Sequence, residues 1–132
     1  MSPPASAKHR HLVWLAILAG AILLIIGIRF VVVPEAAQRT FGLPKQLSGT
    51  ELHTLVGLRD IWLAGLAIAF AWLRQWRALA LWLLMGAGIC VADGVIVAIS
   101  SGNGWAMVFH WGSGLFCLAL GVLCWRIGQP SA

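Results

Sequence analysis

The sequence predicts an all-α integral membrane protein, a four-helix bundle with a short interfacial helix after the first span. Three observations support this prediction. Of the 132 residues, 61% are hydrophobic and 10% are charged, a composition far from that of soluble globular proteins. The chain contains four apolar runs of about twenty residues each, long enough to cross a bilayer. Only short polar segments separate these runs, which indicates a single domain.

The first predicted span covers residues 12–33 and follows a basic cytoplasmic tail, residues 1–11. The basic residues 8–11 and the small residues 35–37 would also suit a signal peptide and its cleavage site. However, an apolar core of about twenty residues is too long for a signal peptide. We therefore interpret this run as a retained span.

A short interfacial helix is predicted next, from Pro34 to Phe41. Proline suits the first turn of a helix, and Glu35 suits its positive end. Gly42 and Pro44 are typical of a helix stop. The second span, residues 49–73, then begins at a capping box formed by Ser48 and Glu51.

A basic turn leads to the third span, residues 78–99, and an uncharged turn leads to the fourth, residues 105–125. The transmembrane domain then covers residues 12–126, and residues 127–132 form a second tail. With both termini in the cytoplasm, the inner side carries more basic residues than the outer side, as the positive-inside rule prefers. The inner ones are Lys8, Arg10, Arg74, Arg77 and Arg126, and the outer ones are Arg39 and Lys45.

We therefore expect a multi-pass protein of the bacterial inner membrane, with both termini cytoplasmic. The predicted partner of its apolar outer surface is the lipid bilayer. The net charge of +5 could suggest nucleic acid, but the basic residues form no stripe or cluster, so we expect no nucleic-acid partner.

Six ionisable residues lie inside the apolar runs, where charge is costly and usually marks a functional site. These candidate ligand-binding residues are Arg29, His53, Arg59, Asp60, Asp93 and His110. At a rise of about 1.5 Å per residue, those on different spans reach similar depths in the outer half of the bilayer. The sequence therefore predicts a polar pocket open to the outer side.

Helical periodicity supports this pocket, because each polar residue shares a face with small residues of the kind that close membrane helix packing requires. The faces are His53, Gly57, Asp60, Ala64, Ala67 and Ala71 on span two; Gly86, Cys90, Asp93 and Val97 on span three; and His110, Ser113, Gly114, Cys117, Gly121 and Cys124 on span four. Arg59 lies about 100° from Asp60 on an ideal helix. Its long stem could reach inward or snorkel to the surface.

A purely structural role for these charged residues is an open alternative. The two arginines and two aspartates could form buried salt bridges that fix the packing and bind nothing. A metal site is not indicated, because His53, Asp60 and His110 have no diagnostic spacing. The three cysteines form no CxxC pair and suit the role of small hydrophobic residues.

Several motifs carry a family resemblance: Gly27-Ile28-Arg29-Phe30, Pro34, Ala37, Phe41-Gly42-Leu43-Pro44 and Gly57-Leu58-Arg59-Asp60, with Asp93 late in span three and His110 early in span four. With these, nearly the whole chain resembles a bacterial family of small four-helix membrane proteins with no assigned function. The first half also resembles, more loosely, the DoxX-like proteins, which implies an inner-membrane protein associated with quinol or thiol redox chemistry. No catalytic residue is carried over, because the motif shared with that group is confined to Arg29 and the segment Phe41-Gly42-Leu43-Pro44. The chain also has no CxxC or haem-ligating pattern, which argues against redox catalysis.

Three functions fit these observations. The first is binding of a quinone-like head group or small organic anion, with the arginines holding the ligand and His110 exchanging a proton. The second is a membrane enzyme, an isomerase or oxidoreductase that uses His110 and Asp93 as acid and base. The third is a structural subunit of a larger membrane complex or transporter, since small-residue faces also serve association between chains. The partners expected for such a subunit are further copies of this chain, as a homo-oligomer, or the other proteins of a membrane complex. The sequence identifies no cofactor.

Overall fold

The computed structural model describes residues 9–43 and 51–129, and the regular elements in these ranges are helices, with no strand. The all-α class is therefore confirmed. The helices are α1 (Arg10–Val32), α2 (Pro34–Phe41), α3 (Glu51–Trp72), α4 (Trp76–Ser100) and α5 (Gly104–Ile127). The bounds of the long helices lie within two residues of the predicted spans. The capping-box residue Ser48, the stop residue Pro44 and most of both tails lie outside the described residues.

Each of the four long helices contains an 18-residue segment apolar enough to cross a membrane, and the mean hydropathies of these segments are 2.7, 1.6, 2.1 and 1.8 in chain order. Large apolar side chains cover their outward faces, and Trp62 and Met85, for example, are each 73% exposed. Lipid tails solvate such surfaces, whereas water does not. The protein is therefore a multi-pass membrane protein.

Glycines set the packing of α1 against α3. A Cβ added to Gly57 would lie 2.6 Å from the Gly27 carbonyl oxygen, and one added to Gly27 would lie 2.8 Å from the Gly57 carbonyl oxygen. No larger residue could occupy either position without moving a backbone. Membrane helices associate through such close packing, since lipid supplies little hydrophobic driving force between them.

The packing of α4 against α5 also relies on small residues. Gly94 lies against the indole of Trp111, and a Cβ added to Gly114 would lie 3.3 Å from the Ala87 carbonyl oxygen. The prediction that Gly86 forms part of this interface was wrong, because its nearest neighbour is Trp82 at 4.0 Å, one turn away on the same helix. Gly94, beside Asp93, makes the close approach instead.

The two helix pairs meet at both ends of the bundle. At one end they share an apolar core, whose buried members are Leu12, Ala16, Ala71, Leu79, Ala80, Leu83, Leu120 and Cys124. At the other end, which we call the α2 end, the short helix bridges them. Gly42 ends α2 with φ of 102°, a left-handed conformation that glycine adopts without strain, and this confirms the predicted stop.

Gly42 also fits between the two helices of the second pair. A Cβ added to it would lie 2.7 Å from Ala106 Cβ and 2.9 Å from Val97 Cγ1. The Ser101 hydroxyl donates a hydrogen bond to the Gly42 carbonyl. The C-terminal end of α2 is therefore fixed to both α4 and α5.

Candidate functional site

The charged and histidine residues of the spans lie at similar depths below the α2 end. Arg29 lies three residues from Val32, His110 six from Gly104, Asp93 seven from Ser100 and Asp60 nine from Glu51, counted to the nearest helix end. These separations correspond to roughly 5 to 14 Å along the helices. We call this region the polar layer.

The face predicted for span two is confirmed in full. The buried residues of α3 are His53, Gly57, Asp60, Ala64, Ala67 and Ala71. This stripe turns Asp60 towards the bundle, and Arg59, the next residue along the chain, therefore points to the side.

Arg59 and Asp60 form an ion pair despite this difference in direction. Arg59 Nε donates a hydrogen bond to Asp60 Oδ1 at 3.2 Å. The arginine side chain is 59% exposed, whereas the aspartate side chain is 10% exposed. The guanidinium therefore bends back to its neighbour while most of it stays at the edge of the bundle. Within the described residues, its two terminal nitrogens make no hydrogen bond.

Asp93 brings the second helix pair into the layer. It is half-buried on α4, where the charges of His110 and Arg59 act on its carboxylate, and it in turn acts on Asp60. Among the residues that the structure describes, it makes no hydrogen bond and no ion pair. The layer thus contains a carboxylate with unused acceptor capacity and a guanidinium with unused donors.

His110 links the layer to α2. It is buried on α5, and its Nε2 lies 3.1 Å from the Phe41 carbonyl oxygen, to which a protonated Nε2 donates. The two rings also pack, with centroids 4.4 Å apart. With Nε2 engaged, Nδ1 is the ring nitrogen left for the layer or a ligand.

His53 also holds α2. Its Nε2 lies 2.8 Å from Gln38 Oε1, and both side chains are buried. Phe30 of α1 stacks on the imidazole, with centroids 6.2 Å apart and planes 23° apart. His53 therefore lies in a packed contact among three helices.

Arg29 contacts α2 as well. Its Nη2 donates to Thr40 Oγ1 at 3.0 Å, and the threonine hydroxyl donates to the Ala36 carbonyl at 2.9 Å. In the described part of the chain Arg29 has no acidic partner within ion-pair distance. The structure thus gives the six predicted residues different contacts: Arg29, His53 and His110 hold α2, Arg59 and Asp60 form an ion pair, and Asp93 lies half-buried at a similar depth.

The residues of α2 that receive these contacts were not predicted. They are Gln38, Thr40 and the carbonyl of Phe41. A signal existed for one of them, since Ala37, Gln38 and Phe41 share the inner side of a short amphipathic helix by i, i+1, i+4 spacing. The backbone carbonyl has no sequence signal.

Two grooves lie near the layer. One of about 550 Å³ is lined by Val33, Pro34, Glu35, Ala36 and Arg39. The other, of about 410 Å³, is an apolar groove on the outward face of α3 lined by Ile61, Trp62, Gly65, Leu66 and Ala69. In the described ranges, no group of three His, Cys, Asp or Glu residues is placed to hold a metal ion.

A family model matches most of the chain. The family model for a domain of unknown function (DUF4267) matches residues 20–124, a range that includes α2 and the whole polar layer. No curated protein matches the chain significantly, and neither does any solved structure.

Proposed function

The chain belongs to the DUF4267 family of unknown function, and we propose that it binds a small amphipathic ligand, quinone-like or anionic, at the polar layer. Arg59 holds a carbonyl or anionic oxygen of the head group. Asp93 accepts a hydrogen bond from a hydroxyl, and His110 exchanges a proton through Nδ1. Asp60 orients the arginine.

The observation that carries this proposal is the exposure of the Arg59 guanidinium together with hydrogen-bond donors that no described residue satisfies. The arginine side chain is 59% exposed at membrane depth, and among the described residues only Asp60 engages it, through Nε. A guanidinium without sufficient partners is costly in lipid. A ligand oxygen would satisfy the remaining donors with charge-assisted hydrogen bonds.

The α3 groove supplies a place for an apolar tail. Arg59, Trp62 and Leu66 follow i, i+3, i+7 spacing and so lie on one side of α3. The groove therefore continues from the guanidinium towards the opposite end of the bundle. A head group at Arg59 with its chain over Gly65 would match the polarity of both surfaces.

The same groove supports a second candidate, the structural-subunit function. Gly65 and Ala69 form an outward-facing small-xxx-small pair, a pattern that favours close association with another membrane helix. A second polypeptide that stays bound in detergent and covers Trp62 would favour this candidate over ligand binding.

The setting of this function is the bacterial inner membrane, with both termini cytoplasmic and the α2 end periplasmic. The excess of basic residues at the opposite end supports this orientation. The looser DoxX-like resemblance, centred on Arg29 and the segment after Thr40, is consistent with a quinone-like ligand.

Tryptophan fluorescence tests the proposal in purified protein reconstituted in lipid nanodiscs. Trp62 borders the groove, so decylubiquinone is expected to quench it saturably. Arg59→Gln removes the charge-assisted contact and should weaken binding at least about tenfold. Arg39→Gln, which changes an exposed arginine on α2, is the matched control and should bind like the parent. Quenching that never saturates, or that is equal in both variants, would contradict the proposal.

A further inference from the structure

The larger groove, of about 550 Å³, follows the start of α2, and we call it the α2 groove. Its lining combines apolar surface with one acidic and one basic side chain: Val33, Pro34, Glu35, Ala36 and Arg39. It shares no lining residue with the groove on α3. The α2 groove therefore presents both apolar and charged surface at the end of the bundle, away from Arg59.

The two charged side chains of the α2 groove hold each other loosely. Arg39 Nη2 lies 3.6 Å from Glu35 Oε2, which is beyond hydrogen-bond distance. The side chains are 77% and 67% exposed, and an exposed ion pair of this kind contributes little to stability. Among the described residues, the Arg39 guanidinium makes no further hydrogen bond or ion pair. Its donors are therefore open to an anion.

A second guanidinium reaches the edge of the groove from α1. Arg29 Nη2 donates to Thr40 Oγ1 at 3.0 Å, and this hydroxyl donates to the carbonyl of Ala36, which lines the groove. Arg29 lies three residues from the end of α1, or about 5 Å along the helix. In the part of the chain that the structure describes, it has no acidic partner. Two arginines against the single Glu35 leave a surplus of one positive charge around the groove.

We propose that the α2 groove binds an anionic phospholipid from the leaflet at the α2 end, with Arg29 and Arg39 holding the lipid phosphodiester. One phosphodiester carries one negative charge, which balances the surplus. Guanidinium groups match phosphate oxygens in geometry as well as in charge. The depth also fits, because lipid phosphates lie just outside the hydrocarbon core, at the level where the spans end.

The apolar part of the groove favours a lipid over a free phosphate ion. Val32 and Val33, at the end of α1, are 69% and 44% exposed, so the surface next to the groove continues as hydrocarbon towards the bilayer. A lipid would cover this surface with an acyl chain while its phosphodiester meets the arginines. Inorganic phosphate would satisfy only the arginines.

Native mass spectrometry of the full-length protein in detergent, titrated with phosphatidylglycerol, tests the inference. The parent should bind one phosphatidylglycerol more tightly than phosphatidylcholine. Arg39→Gln, and Arg29→Gln, which keeps an N–H donor for Thr40, should each weaken this binding about fivefold. Arg126→Gln removes an equal charge from an exposed position at the opposite end and is the matched control. It should bind like the parent.

Glu35→Gln gives a result of opposite sign. It removes the carboxylate that competes for Arg39, so phosphatidylglycerol should bind more tightly than to the parent. A purely structural role for the pair would not produce this gain. Because Glu35 and Arg39 are exposed, both variants should stay folded, and they decide the outcome if Arg29→Gln loosens α2.

Three results would overturn the inference. Unchanged binding in Arg39→Gln would show that the α2 groove does not hold the phosphodiester. An equal loss in Arg126→Gln would show that only the total charge matters. Displacement of phosphatidylglycerol by an equal concentration of inorganic phosphate would identify the occupant as a free anion. Decylubiquinone binding, which depends on Arg59, is measured separately, so the lipid site and the proposed function can fail independently.

Discussion

The imidazole of His110 on α5 is joined to the end of α2 at Phe41, through a 3.1 Å contact between Nε2 and the carbonyl oxygen and through ring packing at 4.4 Å. On the other side of α2, Arg29 and His53 hold Thr40 and Gln38. The short helix is thus fixed to both helix pairs. The polar layer is covered from the α2 end, and its exposed side is the lateral one, at Arg59.

The contact between α1 and α3 gives a stability prediction. Gly57→Ala places a methyl group 2.6 Å from the Gly27 carbonyl oxygen, and a backbone atom cannot move aside cheaply. We expect a loss of about 1–3 kcal/mol, as for other overpacked sites. Gly88→Ala, where a Cβ meets nothing within 4 Å, is the control. Thermal unfolding in detergent measures both, and equal melting would mean that the two helices are further apart.

Substitution of the two aspartates of the layer should affect stability and ligand binding differently. Asp60 accepts the Arg59 hydrogen bond, so Asp60→Asn should destabilise the fold by about 1–3 kcal/mol. Asp93 makes no such bond within the described residues, and Asp93→Asn should change stability by less than about 0.5 kcal/mol yet weaken ligand binding. Denaturant unfolding and fluorescence titration separate the two effects. The reverse ranking in stability would show that Asp93 carries the structural charge.

His110 gives a prediction on pH. A protonated imidazole adds positive charge to the layer, so an anionic ligand should bind more tightly as pH falls. His110→Gln keeps an N–H donor for the Phe41 carbonyl but cannot take up a proton. The variant should stay folded and bind with little dependence on pH, as followed by quenching of Trp62. A pH profile unchanged from the parent would place the titrating group elsewhere.

Orientation is tested by cysteine labelling in a background where the three native cysteines are replaced with alanine. A cysteine at Asn103, in the exposed turn at the α2 end, should react with an impermeant thiol reagent in intact cells. Losing the Asn103 cap of α5 costs about 1 kcal/mol, which the fold should tolerate. A cysteine at Gln75, at the opposite end, should react only after permeabilisation. The opposite pattern would invert the topology.

The helices and the inner face of α3 could be predicted from the sequence because both depend on local periodicity. An apolar run of suitable length specifies a span. On α3, polar and small residues recur on one side, and this alone located all six buried positions. On α4, Gly86 and Gly94 are two turns apart and equally small, and only the position of Trp111 on α5 decides which one packs.

The contacts that divide the candidate site could not be predicted in this way. The role of His110 depends on a backbone carbonyl 69 residues earlier in the chain, and a carbonyl is the same in every residue. The close approach of Gly114 to Cys90 depends on how α4 and α5 align, which the spacing of residues along the chain does not reveal. The sequence indicates how deep in the bilayer each residue lies along its helix. It does not indicate which residues of the other helices lie next to it.

The adjacency of Arg59 and Asp60 has a consequence for biogenesis. Because the two opposite charges are consecutive on one helix and hydrogen-bonded to each other, α3 can leave the translocon with its deep cation already neutralised, before α4 and Asp93 are synthesised. Separating the charges, by exchanging Asp60 with Ala64, would remove this early compensation. We expect that exchange to reduce the insertion of α3 in a glycosylation-mapping assay, even in a truncated chain that ends before α4.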